Sequence, residues 1–270
     1  MSIEIPKSMK VVPPSAPGSD FPTKRKSGCR DCAMRGLGLC RVSVDASIEA
    51  PISNRQPLAQ LEKSTTAQQP MFRSKEQTGG VPIICDGWAA AVEYLPSGRR
   101  QIHSFLLPGD LVSTNALFEN RIYHDVETVT SVRYRTFDRA GLWEALVEYP
   151  DARESFLKRR VEEMHRLDHL ILDLGRRKAD RRVARLILEL MDRLTKHRVV
   201  SNQTVDIPLR QTHIADALGV TAPYVNLVLK AFRNKHLIKF DRQSLTVLDP
   251  AGLRRMVEQD QLPGPQPNFN

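Results

Sequence analysis

The chain is poor in the features that mark membrane-embedded, exported or disulfide-stapled proteins. Nowhere in its 270 residues is there a run of about 18 apolar side chains, so no ordinary membrane-spanning helix is expected. The opening Met1-Ser2-Ile3-Glu4-Ile5-Pro6 has neither an apolar core nor a basic leader, which predicts an unexported, cytoplasmic protein. Cysteine is scarce: there are four, and three of them (Cys29, Cys32 and Cys40) are packed together, as in a ligand cluster rather than a disulfide framework. Catalytic constellations are also missing. There is no Gly-rich phosphate loop, no His-Glu-x-x-His and no Gly-x-Ser-x-Gly, and the seven His are scattered, so the chain is not expected to be an enzyme.

Cationic charge is in excess. Forty Lys and Arg stand against 31 Asp and Glu, a formal charge of +9, which favours a polyanionic partner such as nucleic acid. Residues 1–27 are rich in Pro, Ser and Lys without apolar periodicity, and residues 52–78 carry no assignable pattern. From Val81 to Asp138, short apolar stretches alternate with the turn chemistry of Pro96-Ser97-Gly98 and Pro108-Gly109-Asp110, which predicts hairpins in a small β-roll. After Pro150 the period becomes helical. Leu157, Val161, Met164, Leu167, Ile171 and Leu174 recur at steps of three and four, a narrow stripe that suits either a dimer seam or packing on the chain's own β domain. Gly175 is expected to break this helix before a second one with a broad apolar face, Val183, Ile187, Leu190, Met191 and Leu194.

The most informative stretch lies between Ile207 and Leu248. Ile214, Ala215 and Leu218 define a short helix that stops at Gly219, a residue that enters the left-handed region at no steric cost. Thr221 is placed to cap the next helix, Pro223 falls in its first turn, and Val225, Val228, Leu229 and Phe232 supply its inward stripe. This is helix-turn-helix spacing, and the alternating Leu237–Leu248 segment completes a wing. The candidate DNA-contacting residues are Gln211, Thr212, Thr221, Ala222, Pro223, Tyr224, Asn226, Leu227 and Lys230. The basic run Arg176–Arg185 reads either as a solvated face or as support for phosphate contact or interdomain pairing.

A β-roll, a long seam helix and a C-terminal winged helix-turn-helix, in that order, resemble the CRP/FNR family of bacterial regulators. The resemblance is carried by Gly98-Arg99-Arg100-Gln101-Ile102, Phe105-Leu106-Leu107-Pro108-Gly109-Asp110-Leu111, Leu218-Gly219-Val220-Thr221 and Tyr224-Val225-Asn226. It implies an α+β chain divided as a Cys-bearing segment (1–45), a β-roll sensory domain (46–150), a dimerisation helix (151–175), a winged helix-turn-helix (176–252) and a tail (253–270). It also implies a homodimer on palindromic promoter DNA, with RNA polymerase as a further partner. Where well-known members read bases with a Glu and an Arg, this chain has Pro223 and Leu227, so its target sequence is expected to differ.

The spacing Cys29-x2-Cys32-x7-Cys40 looks like the N-terminal cluster of FNR-type oxygen sensors, which implies a 4Fe-4S cluster; zinc and a plain thiol redox site remain the alternatives. The fourth ligand of the FNR pattern has no Cys at its counterpart near Ser131–Arg135, which leaves Cys85, or a carboxylate such as Asp86, as candidates. Cys85 reads equally as a small buried hydrophobe. A cyclic nucleotide is not expected: between Gly109 and Thr130 the only Arg is Arg121, followed by Ile122-Tyr123 rather than by the Ser or Thr of a phosphate cassette.

Overall fold

The computed structural model describes residues 59–196, 204–241 and 244–258. Its first half is a roll of antiparallel strands: β1 (Ala59–Thr65), β2 (Pro70–Phe72), β3 (Val81–Asp86), β4 (Ala89–Tyr94), β5 (Arg100–Leu106), β6 (Asp125–Thr128) and β7 (Val132–Phe137), with a short helix α1 (Ala116–Glu119) before β6. Two sheets form, ordered β1-β7-β3 and β2-β6-β4-β5. The continuous apolar run at the start of β3 follows from burial on both faces. Val81 and Ile83 pack towards Leu142 and Leu146, whereas Ile84 joins Phe72, Val126 and Val132 inside the roll.

Both expected turns exist, and only one of them joins two strands of a ladder. Gly98, at φ +79°, closes the β4–β5 hairpin, where Leu95 N–H donates to Arg99 O at 2.8 Å. At Pro108-Gly109-Asp110 the Asp110 carboxylate accepts from Leu107 N–H at 2.8 Å, and the chain leaves by a single bridge, Ile83 to Leu111, towards α1. The expected apolar stretch Val126–Phe137 divides into β6 and β7 around Val129-Thr130-Ser131.

Helix α2 (Arg139–Glu148) starts at Asp138, whose carboxylate accepts from Gly141 N–H at 2.7 Å, and buries Leu142, Ala145 and Leu146 against the β1-β7-β3 sheet. Helix α3 (Pro150–Arg176) opens on a proline, which suits a first turn, and its 27 residues span about 40 Å. Gly175 is itself helical, and the break expected there follows the last helical residue, Arg176, with Arg177 at the C-cap. A buried ion cluster holds the break there. The Asp173 carboxylate accepts from Arg177 Nη1 at 2.6 Å and from Arg185 Nε, and all three side chains are largely withdrawn from solvent. Such a cluster is strongly destabilised when one partner is removed, because the others stay buried and unpaired.

The C-terminal half contains α4 (Ala179–Lys196), β8 (Thr204–Asp206), α5 (Gln211–Leu218), α6 (Ala222–Asn234), β9 (Ile238–Asp241), β10 (Ser244–Val247) and α7 (Pro250–Glu258). The β9–β10 hairpin forms as expected, and β8 adds a third strand to give the order β8-β10-β9. Val183, Ile187, Leu190 and Leu194 of α4 join Ile214, Leu218, Val225, Phe232 and Val247 in one core. No helix among the described residues is long and apolar enough to cross a membrane.

Candidate nucleic-acid interface

Helices α5 and α6 meet at Gly219, whose φ of +63° is the left-handed conformation read from the sequence. An added Cβ there would sit 3.4 Å from Leu174 Cδ2, so the turn also lies close against the end of α3. Ile214, Ala215 and Leu218 on α5 and Val225, Val228, Leu229 and Phe232 on α6 are all buried, as the inward stripes predict. Thr221 occupies the N-cap position of α6, but its side chain makes no capping hydrogen bond; Pro223 lies in the first turn, where its missing N–H is harmless. With the inward stripe packed away, Thr221, Pro223, Tyr224, Asn226, Leu227 and Lys230 stand on the exposed side of α6, and Thr212 is exposed near the start of α5. Gln211 and Ala222 are half-buried, Ala222 against the core.

A profile of the Crp-like helix-turn-helix domain matches residues 181–256, and one of the cyclic nucleotide-binding domain matches residues 62–149. The chain is 29% identical over 224 residues to the nitrogen fixation regulation protein FixK of Bradyrhizobium diazoefficiens, a match covering 83% of this chain and 91% of that protein. It is also 29% identical over 233 residues to the transcriptional activatory protein AadR of Rhodopseudomonas palustris, covering 85% and 94%. The solved structure of FixK2 from Bradyrhizobium japonicum superposes with a TM-score of 0.63 at 23% identity, covering 73% of this chain and 96% of that one.

The chain belongs to the CRP/FNR family of transcription regulators. In this regulator α5 and α6 are the DNA-binding helix-turn-helix.

Its helix-turn-helix is clasped to its own β-roll. Arg100 on β5 sends Nε to the Asp216 carboxylate of α5 at 2.6 Å and Nη1 to Glu127 at 2.8 Å, while Gln101 Nε2 donates to Ala217 O at 3.0 Å. From the other side Arg182 donates to Arg177 O, Leu218 O and Leu174 O at 2.8, 3.1 and 3.1 Å, tying α3, α4 and α5 together. Arg177, Arg182 and Arg185 of the basic run are thus spent on interdomain and internal pairing rather than on a solvated face. Arg193 pairs with Asp110 across the same junction.

His213 lies inside the clasp, its Nδ1 accepting from Arg210 N–H at 3.2 Å. Burial, reinforced by the Arg100 and Arg210 charges, pushes its pKa down to about 4. A cavity of about 230 Å³ adjoins the clasp, lined by His103, Ser113, His124, Arg166, Glu189 and Leu218 among others. The two imidazoles meet edge to face at 5.1 Å; burial, with a smaller contribution from His124, lowers the His103 pKa to about 4, and burial also lowers that of His124. Arg121 is exposed and takes no part in the lining.

On α3, Leu157, Val161, Met164, Leu167 and Ile171 form an exposed apolar stripe, with Ile171 71% exposed. Leu174 differs: it is half-buried beside the Gly219 turn of the same protomer. Cys29, Cys32 and Cys40 lie outside the described residues. Cys85 sits half-buried where the β3–β7 register slips between Ile84 and Asp86. The alternative donor Asp86 is engaged by Arg133 Nε at 3.4 Å. No group of three or more His, Cys, Asp or Glu suited to a metal occurs among the described residues.

Sequence reasoning placed Arg100 and Gln101 only among the residues that carry the family resemblance, and it missed both their contact with the helix-turn-helix and Asp216 altogether. Each is an ordinary polar residue, and the clasp contacts join positions 116 apart in the chain, which no local pattern reports.

Proposed function

We propose that this protein is a cytoplasmic, homodimeric, oxygen-responsive regulator that activates transcription from palindromic promoter sites in contact with RNA polymerase. What supports DNA reading at specific sites is the row of side chains left outside on α6, above all Asn226 and Lys230, since an amide can take an adenine edge and an ammonium a phosphate. The apolar stripe of α3 supports a two-fold seam, and the activator names of relatives such as AadR of Rhodopseudomonas palustris support activation.

Cys29, Cys32, Cys40 and Cys85 are the residues proposed to hold a 4Fe-4S cluster. Four thiolates are the donor set that such a cluster takes, and the cluster would supply the oxygen-labile chemistry. Chain length permits the fourth bond. Nineteen residues separate Cys40 from Ala59, enough to reach about 60 Å, whereas β3, bearing Cys85, lies two strand spacings (about 10 Å) from β1. Anaerobic purification with iron and sulfide analysis tests this. About four irons per chain and a visible absorption band bleached by air are expected; a colourless, metal-free protein that binds its operator equally with and without oxygen would overturn it.

The cavity beside His103 and His124 carries a second reading: a regulator without a cluster, responding to a small effector. A cyclic nucleotide is not the effector proposed, because Arg121 is outside the lining. Micromolar cyclic AMP binding in a calorimeter would reverse that judgement.

A further inference from the structure

Helix α6 is longer than the groove it enters is wide. Its 13 residues rise about 20 Å, whereas the major groove of B-DNA is about 12 Å across. With the first turns at base edges, as helix-turn-helix proteins dock, the last turn is carried past the sugar-phosphate wall. Asn226, Lys230 and Arg233 follow one exposed line at steps of four and three, and Arg233 lies about 10 Å beyond Asn226 along the axis. Asn226 can therefore sit at a base while Arg233 stands outside the groove.

Beyond α6 the chain doubles back tightly. Lys235 takes the C-cap position, His236 turns at φ +55° with its N–H donating to Arg233 O at 3.0 Å, and Leu237 N–H donates to Phe232 O at 3.0 Å, which keeps Lys235 beside Arg233. Ile238 at the start of β9 is buried, so Lys239, next along the strand, projects from the opposite, exposed face. Arg233, Lys235 and Lys239 are exposed and make no ion pair among the described residues. From Gly219 to Phe240 the sequence has no Asp or Glu, and Asp241, which ends β9, is followed by Arg242. Asp249 approaches from the start of α7, where its N–H bonds to Leu237 O, but its carboxylate is taken by Gly252 N–H at 2.8 Å and by Arg255 at 3.4 Å.

We propose that Arg233, Lys235 and Lys239 hold the phosphate backbone that flanks the half-site, outside the groove that α6 reads. The patch continues the groove-facing line of α6 without interruption, and its charge is of one sign, as a polyanion requires. An acidic protein surface is the poorer occupant, because Lys, two of the three cations, is depleted from protein–protein interfaces. The contact carries no sequence information, so each protomer needs duplex beside its half-site, of any sequence, to bind at full strength. The inference rests on α6 as the reading helix and on nothing at the Cys residues.

Anisotropy titrations of the full-length protein test this. The probe is a duplex that the protein selects from a randomised library, used at about 40 base pairs and again trimmed to the bases that selection fixes. Arg233→Gln, Lys235→Gln and Lys239→Gln together should lower the slope of log affinity against log salt on the long duplex by about three per protomer, with binding at least tenfold weaker. On the trimmed duplex the same variant should bind within twofold of the unsubstituted protein, with base preference and circular dichroism unchanged. The charge-keeping set Arg233→Lys, Lys235→Arg and Lys239→Arg should restore the slope. Asn226→Ala on the same probes reports base reading separately, so a failure of α6 as the reading helix is told apart from a failure of the flanking grip. An unchanged slope on the long duplex, or an equal loss on both duplexes, would overturn the proposal. So would unaltered DNA binding with reduced transcription by purified RNA polymerase, which would give the patch to an acidic protein partner.

Discussion

Asn226 and Lys230 stand one turn apart on α6 with equal access to a groove, yet their chemistry separates their roles. An amide offers a paired donor and acceptor to one base edge; an ammonium offers a point charge to any phosphate. Asn226→Ala should therefore relax preference at one operator position, with a loss of about 1–3 kcal/mol confined to the preferred base. Lys230→Ala should weaken all sequences alike and lower the slope of log affinity against log salt by about one. Competition binding with a set of singly substituted operators separates the two, and a uniform loss for Asn226→Ala would remove it from base reading. Pro223 and Leu227 beside them cannot make such hydrogen bonds, so apolar contact with a thymine methyl is what they can add.

At the scale of elements, α3 is the piece whose exposed face is hardest to reconcile with a lone protomer. Met164 and Ile171 stand 63% and 71% exposed on the same stripe. A charge placed there would be desolvated by a partner helix, and Met164→Glu should raise the dimer dissociation constant at least about 100-fold without unfolding the protomer. Sedimentation equilibrium reads this directly, and an unchanged constant would move the seam elsewhere. Helices α3 to α6 were legible in the sequence because their signals are local: Gly219, Pro223 and the stripes of α4, α5 and α6 each lie within a few residues of what they specify. Helices α1, α2 and α7 were not, and α7 begins within the winged domain and runs into the expected tail, with Leu253 buried in the core. Nor were strands β1 and β2. Glu62, Lys63 and Ser64 of β1 are exposed on an edge strand and stabilised by Glu62 pairing with Arg133 and Arg135, so no apolar alternation marks them, and β2 has only three residues. The break after α3 was legible to within two residues of Gly175, but the contact of Asp173 with Arg185 on the next helix that holds it is not something glycine placement encodes.

Across the whole molecule, the Arg100–Asp216 pair connects the roll to the helix-turn-helix. Both side chains are about a quarter exposed, so the pair is worth on the order of 1 kcal/mol. Asp216→Ala should loosen the junction by that amount, seen as faster amide exchange in the β4–β5 hairpin and α5 with the roll core unaffected; no change at either element would mean that the clasp holds nothing. The same junction makes stability depend on pH. His103 and His213 stay neutral in the fold down to about pH 4, against 6.5 in an unfolded chain. Above pH 6.5 neither state binds the extra proton and nothing is lost. As pH falls from 6.5 towards 4 the unfolded chain takes up protons that the fold refuses, so stability should drop by on the order of 1 kcal/mol per pH unit for each histidine. Denaturant titrations at pH 7 and pH 5 should show the drop, and His213→Gln should make it shallower.

The uncovered stripe on α3 has one more consequence, which concerns quantity rather than shape. When two chains must meet before either recognition helix can grip its half-site, operator occupancy at low abundance follows the square of protein concentration, so a doubling of synthesis raises occupancy roughly fourfold. The operator then stabilises the pair by the same factor by which pairing favours the operator. Copy number becomes an input alongside any chemical signal, and a cell could silence this regulator simply by diluting it through growth.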